Sequence, residues 1–229
     1  MKKRMFDQWD KYWKDRFTEF PNENLIRFVR RNFQVKDIKG MKALDLGTGV
    51  GTQAVFLANC GFDTYAIEGS RDALKKADYR LVNDLKPGAV LHLKEGDMVK
   101  LPYSDNFFDL VVDIASIQHN TRADIKKIVD EVRRIMKPGA RFFTMMRTNW
   151  DYLYGNGMFL EKGTLNNIPG DLSDAGITHF FDLSEIQILF TELDESKKPF
   201  FSKAEINYTE TTIGGTTNRV AHWLVSCTK

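Results

Sequence analysis

Asp45, Gly47, Gly49 and Gly51, in the run DLGTGVG, have the residue types and spacing that speak most directly of chemistry in this sequence. The apolar pair Ala43-Leu44 leads into them, and a helix-like TQAVFLANC follows. That is a strand, a tight glycine turn and a helix start. Glycine lets the backbone turn sharply and lets a ligand lie against bare main chain. The helix behind points free N–H groups at that ligand. Such a loop holds a nucleotide-like cofactor. A dinucleotide fingerprint, G-x-G-x-x-G, would place its third glycine where Thr52 stands. A P-loop would follow its glycines with a lysine, and none follows here. Asp45 instead puts a negative charge where a phosphate would go, which favours a cofactor with a positive end.

Two further acids stand in register with this loop. Glu68 ends the strand FDTYAIE, roughly 20 residues on, where an acid can accept both hydroxyls of a ribose. Asp97 follows AVLHLKEG and is followed by Met98. Together with LPYSDNFFDLV and KPGARFF, these motifs resemble the class I S-adenosylmethionine-dependent methyltransferases over roughly residues 41–147, and more loosely over the final strands. The resemblance implies that Asp45, Gly47 and Gly49 hold the methionine part of S-adenosylmethionine and Glu68 its ribose. It implies that Asp97 accepts from the adenine amino group while Met98 packs on the ring. Asp113 and Ile114, at the end of the fourth strand, join the expected cofactor wall, although Asp113 could instead support its own loop.

The positioning elements alternate. Strands are read in MKALDL, FDTYAIE, AVLHLKEG, FFDLVVDIA and ARFFTMMR, with helices TQAVFLANC, RDALKKADYRLVNDL and ADIKKIVDEVRRIM between them. KPGA (137–140) reads as a helix stop before a strand. Near-continuous apolar strands alternating with helices make an α/β fold with a parallel sheet covered on both faces. FSKAEINYTETTI and RVAHWLVSCTK are two long strands joined by a hairpin signal, GGTTN. The resemblance implies a single Rossmann-like seven-stranded sheet of order 3-2-1-4-5-7-6, its last strand antiparallel. Residues 1–36 read as an N-terminal helical cap broken near Pro21, in which Trp9, Tyr12 and Trp13 form a stripe that packs in the core or closes over the cofactor. Residues 148–182, rich in Asn, Gly and aromatics, read as an insert or lid near the acceptor.

Bulk properties narrow the setting. The 229 residues suffice for one α/β domain, and a net charge of +2 favours neither a nucleic-acid nor an acidic partner. Cys60 and Cys227 give no disulfide framework and no metal spacing. The basic start, MKKRMFDQWDKYW, lacks the apolar run of a signal peptide, and no stretch approaches a membrane span. A cytoplasmic protein with no metal, nucleic-acid or membrane partner is expected, and a homodimer stays open. The pairs Arg30-Arg31, Lys75-Lys76, Lys126-Lys127 and Arg133-Arg134 read as solvated helix faces.

The acceptor must meet the donor outside the carboxyl ends of strands four and five. His119, just past strand four, is the candidate general base, with a capping or packing role as the equal alternative. Arg147 ends strand five and is a candidate clamp for a phosphate or carboxylate, or a salt-bridge partner. Asp151, Tyr152 and Tyr154 complete the candidate acceptor set. The N/D-P-P-Y/F pattern of nucleobase-amine and amide methyltransferases is absent after strand four. The expected function is therefore methylation of a small molecule. O-methylation of a sugar or phosphorylated metabolite is expected, by loose similarity to bacterial glycan-pathway methyltransferases. The alternatives are N-methylation of a small amine, methylation of RNA or protein, and a non-catalytic cofactor-binding partner.

Overall fold

A computed structural model describes residues 2–191, 193, 199, 201–212 and 218–229. Three helices, α1 (Lys2–Trp13), α2 (Glu23–Asn32) and α3 (Val35–Ile38), precede an alternating run. It comprises β1 (Lys42–Leu46), α4 (Thr52–Cys60), β2 (Asp63–Glu68), α5 (Arg71–Asn83), β3 (Val90–Glu95), β4 (Phe108–Ile114), α6 (Arg122–Ile135) and β5 (Met136–Arg147). Then come three short strands, β6 (Met158–Glu161), β7 (Thr164–Asn166) and β8 (Thr178–His179). Helix α7 (Leu183–Thr191) and the strands β9 (Lys203–Thr212) and β10 (Arg219–Thr228) follow.

Side-chain caps set several of these boundaries. Asn22 accepts from the N–H groups of Asn24 and Leu25, Ser70 from that of Ala73, and Thr121 from that of Asp124. Helix α6 buries Ile125, Ile128, Val129, Val132 and Ile135, one face at helical spacing. Along β1 and β4 the side chains alternate between two cores. Ala43, Leu110 and Val112 pack with α2 and Leu57, while Leu44, Leu46 and Val111 pack with α6 and α7.

The main sheet has the order β3-β2-β1-β4-β5-β10-β9. With β9 and β10 as the sixth and seventh strands, this is the order 3-2-1-4-5-7-6. Strands β1 to β5 pair in parallel, and β10 runs antiparallel to both β5 and β9. Residues 213–217, which hold most of the GGTTN turn, lie outside the described residues. The order reverses between β1 and β4, and ligands collect at the carboxyl side of such a switch point.

One expectation changes. KPGA is part of β5 and not a stop before it: the pairing of Phe108 with Met136 shifts to Leu110 with Arg141, and Gly139 takes a φ of 80°. The strand absorbs these residues as an irregularity, so α6 passes into β5 without a loop. Segment 148–182, read as an insert or lid, carries regular structure of its own. Its strands form a second sheet, β6-β7-β8, over its own core of Leu153, Leu165, Ile168, Leu172 and Phe180. Trp9 and Tyr12 of α1 pack against that core. No helix among the described residues is long and apolar enough to cross a membrane.

Candidate functional site

The loop after β1 is built around its glycines. Gly47, Gly49 and Gly51 have φ values of 60°, 55° and 83°, a region that penalises any side chain. Space is short as well. A Cβ on Gly47 would lie 2.5 Å from Ser116 Cβ, and one on Gly49 would lie 2.6 Å from the Trp13 ring. Asp45 is 1% exposed and accepts from the Thr48 hydroxyl at 2.5 Å and from the backbone of Ala54 in the first turn of α4. The aspartate is thus already the anion at this helix start, which physically disfavours a phosphate there. Burial, reinforced by the nearby Asp113 and Glu68, pushes the Asp45 carboxyl up to about 7. Among the described residues no cation pairs with it.

Glu68 closes the donor wall. One carboxylate oxygen accepts from Gly49 N at 2.8 Å, the other from Gly69 N and Ser70 N at 2.8 Å each. Burial raises its pKa while these three N–H groups favour the charged form. Three of about four acceptor positions are filled, leaving room for a hydroxyl. Asp97 accepts from Val99 N at 3.0 Å and lines the cavity beside Met98.

Helix α1 lies across this wall. Trp13 covers Gly49, and Phe6 lies so close to Gly69 that a Cβ there would meet its ring at 2.1 Å. Asp10 accepts from Ser70 Oγ and Asp72 N, and Lys76 donates to the carbonyls of Trp13, Lys14 and Arg16. Lys76 is therefore a helix clamp and not a solvated charge. Arg133 and Arg134 also depart from the solvated reading. Arg133 is 5% exposed and reaches Leu189 O, and Arg134 binds Glu131, Asp105 and two carbonyls.

The acceptor side begins at the end of β4. Asp113 is fully buried and accepts from Ser116 N, Ile117 N and Thr144 Oγ1 at 3.0, 3.0 and 2.6 Å. It pins the loop from beneath and does not line the cavity, which corrects its expected cofactor contact; Ile114 does line it. His119 lines the cavity with both ring nitrogens engaged. Gln118 accepts from Arg147 N at 2.8 Å through its oxygen, so its amide nitrogen faces His119 Nε2 at 3.2 Å. Nε2 is then an acceptor, and Nδ1–H donates towards Ile177 O and Thr178 Oγ1 at 3.1 Å. Burial, aided by the charge of Arg147, depresses this imidazole to about 4. A ring so held is neutral, and its acceptor nitrogen is already occupied by Gln118.

Arg147 lines the cavity and pairs with Asp151 at 2.7 Å and with Asp171. Asp151, 3% exposed, also accepts from Leu153 N and Ala221 N. It anchors Arg147 and is not on the cavity wall. Tyr152 and Tyr154 are not there either, because they pack on the core of the insert. Those three expectations are corrected by one cause: the chain after β5 turns away from the cavity to pair with β10.

One cavity of about 350 Å³ joins Tyr12, Trp13, Asp45, Gly47, Gly49, Glu68, Asp97, Met98 and Ile114 to His119 and Arg147. It also brings in Gln118, Asp171 and His222, which reasoning from sequence missed. His222 sits in the apolar run RVAHWLV, and its one signal is being polar there; the pairing of β10 with β5 sets it opposite Arg147. It is 9% exposed, its ring has no hydrogen-bond partner among the described residues, and burial lowers its pKa to about 4. Among the described residues, no group of three or more His, Cys, Asp or Glu is placed to hold a metal. The donor wall suits a ligand with a cationic end and a ribose: an uncompensated buried acid at Asp45, bare backbone at the glycines and a free acceptor position on Glu68.

Residues 44–144 match a family model described as a methyltransferase domain. An uncharacterized methyltransferase of Synechocystis sp. is 31% identical over 128 residues, 56% of this chain and 52% of that protein. The chain thus spans about half the length of this curated relative. A ubiquinone biosynthesis O-methyltransferase of Rickettsia prowazekii is 28% identical over 190 residues, 80% of this chain and 70% of its own. A solved S-adenosylmethionine-dependent methyltransferase of Methanosarcina mazei shares the fold with a TM-score of 0.67, at 19% identity, over 88% of this chain and 96% of its own. Motifs, sheet order and family match agree: residues 44–144 are similar to a methyltransferase domain, the chain shares the fold of S-adenosylmethionine-dependent methyltransferases, and these findings support S-adenosylmethionine as the cofactor.

Proposed function

We propose that this protein methylates an oxygen of a small polar molecule. The observation that carries this reading is the single cavity, walled at one end by Asp45, Glu68 and Asp97 and at the other by Gln118, His119, Arg147 and His222. Its volume of about 350 Å³ is at the low end for ligand pockets, which suits a small acceptor. The polar far wall suits a hydroxylated or charged one. The Rickettsia relative, named for ubiquinone biosynthesis, supports O-methylation but lends nothing to the surface-glycan setting expected from the sequence. The cofactor supplies an electrophilic methyl group on a sulfonium. In this reading Asp45 and the glycine loop hold its cationic end, Glu68 its ribose, and Asp97 with Met98 its adenine. Helix α1 and segment 148–182 act as cap and lid that keep water from the cavity.

An attacking hydroxyl must lose its proton. His222 takes that role here, because its ring is uncommitted and faces the cavity, whereas His119 is committed to Gln118 and Ile177. His119→Ala should then lower turnover less than tenfold. His222→Ala should lower it by about 10²–10⁴-fold with cofactor affinity kept. The reverse ranking would return proton removal to His119. Product mass from a screen of sugar phosphates, hydroxy acids and amines tests the reading as a whole, and methyl found only on nitrogen or carbon would refute it.

Cofactor binding should also depend on pH through Asp45. In an unfolded chain this group titrates near 3.8, and in the fold at about 7. An acid raised in this way stabilises the fold fully below its unfolded pKa, and that contribution is lost as pH rises through 7. A cationic ligand end offsets the loss. The rise in melting temperature caused by the cofactor should therefore be larger at pH 8 than at pH 6, and Asp45→Asn should flatten the difference. An equal rise at both pH values in the unmutated protein would contradict it.

A further inference from the structure

We propose that Arg147 is the anchor for an oxyanion on the acceptor, a carboxylate or a phosphate ester, and that Asp171 holds that place in the free protein. The inference rests on the reading of this cavity end as the acceptor site. One two-toothed edge of a guanidinium runs through Nε–H and Nη2, and two oxygens of one oxyanion fill both teeth at once. In Arg147 that edge is half used. Asp171 takes Nη2, while Nε is buried and has no hydrogen-bond partner. The other amino group, Nη1, belongs to Asp151 at 2.7 Å.

The two carboxylates on Arg147 are not equivalent. The Asp151 side chain is 0% exposed, and both its oxygens carry backbone N–H groups as well, from Leu153 and from Ala221. It cannot leave without stranding them. The Asp171 side chain is 53% exposed, sits on the short helical turn Gly170–Leu172, and among the described residues has no bond beyond Arg147. It can turn to water, where its carboxylate is already half solvated.

The exchange is charge-neutral. With Asp171 turned away, Arg147 and Asp151 neutralise each other, and the neighbouring His119 and His222 are neutral at physiological pH. An incoming singly charged oxyanion restores the balance that Asp171 had provided. It also satisfies the Nε–H that Asp171 leaves unmet, so the swap gains one charge-assisted hydrogen bond.

The test uses the full chain loaded with S-adenosylhomocysteine, with inorganic phosphate and acetate as probes. Titration is followed by calorimetry and by the NMR signal of the Arg147 Nε–H. Asp171→Asn keeps the side-chain shape and removes the competing charge. It should tighten binding of at least one probe tenfold or more and shift that signal downfield. A gain with acetate alone assigns a carboxylate, and a gain with phosphate alone assigns a phosphate ester. The triple variant Asp171→Asn, Arg147→Met, Asp151→Asn buries no charge and should lose the binding. No gain in Asp171→Asn, or binding that survives in the triple variant, overturns the proposal. Cofactor affinity is measured alongside. If it is absent in the unmutated protein, the methyltransferase reading fails, whatever the anions do.

Discussion

Arg147→Met should lower stability by roughly 3–5 kcal/mol, the cost of leaving a buried charge without its partner. The reason is Asp151, whose side chain is 0% exposed. Through Leu153 N and Ala221 N this aspartate ties the chain after β5 to β10. Neutralising the guanidinium leaves the carboxylate nowhere to go. Protonation is its remaining relief, so the variant should regain stability as the pH falls. The sign follows from a folded pKa raised above the unfolded one, with the contribution lost again on the way up in pH. Adding Asp151→Asn removes the stranded charge and should recover part of the loss, since one of the two backbone N–H groups would then face the amide nitrogen. Urea denaturation at pH 7 and pH 5 measures both effects. A single variant that loses under about 1 kcal/mol would mean that Asp151 is not held as described.

Glu68→Ala should weaken cofactor binding by about 100-fold or more. Three backbone N–H groups, from Gly49, Gly69 and Ser70, converge on this carboxylate. Hydrogen bonds to a charged group contribute about 1.5–3 kcal/mol each, though not additively. Removing the carboxylate therefore frees the glycine loop from the end of β2 at the same moment as it removes the ribose acceptor. Glu68→Gln should be nearly as damaging, because its amide nitrogen would face donors instead of accepting from them. Asp97→Asn should be much milder. Calorimetry with S-adenosylmethionine gives the ranking, and affinity unchanged in both Glu68 variants would remove this residue from the site.

The donor half was legible because its chemistry is local. Asp45, the glycines and Glu68 occupy strand ends and one turn, where type and spacing fix position. The alternation of strand and helix from Lys42 to Arg147 follows from the same short-range periodicities. The acceptor half was not, because its parts meet only through the tertiary fold. Asp171 reaches Arg147 from the helical turn Gly170–Leu172, and His222 reaches it through antiparallel pairing with β5. Asp113 misled for a related reason. Its place at the end of β4 suggested the cavity, but the side chain turns under the loop to take two N–H groups, a choice made by the local backbone and invisible in residue type. The solvated reading of Lys76, Arg133 and Arg134 failed because partner carbonyls leave no trace in a sequence.

The place of β10 sets the order in which the molecule can come into being. Residues 219–228 lie between β5 and β9, so β9 has no neighbour in the sheet until they arrive. The pairing of β10 with β5 spans more of the chain than any pairing among β1 to β5, and such long-range pairings are slow to form. A chain halted before residue 219 would carry a finished cradle for the methyl donor, with Arg147 lacking both the N–H of Ala221 behind its aspartate and the imidazole of His222 beside it. The proposed acceptor end is thus completed by the strand that joins its neighbour across the longest stretch of chain.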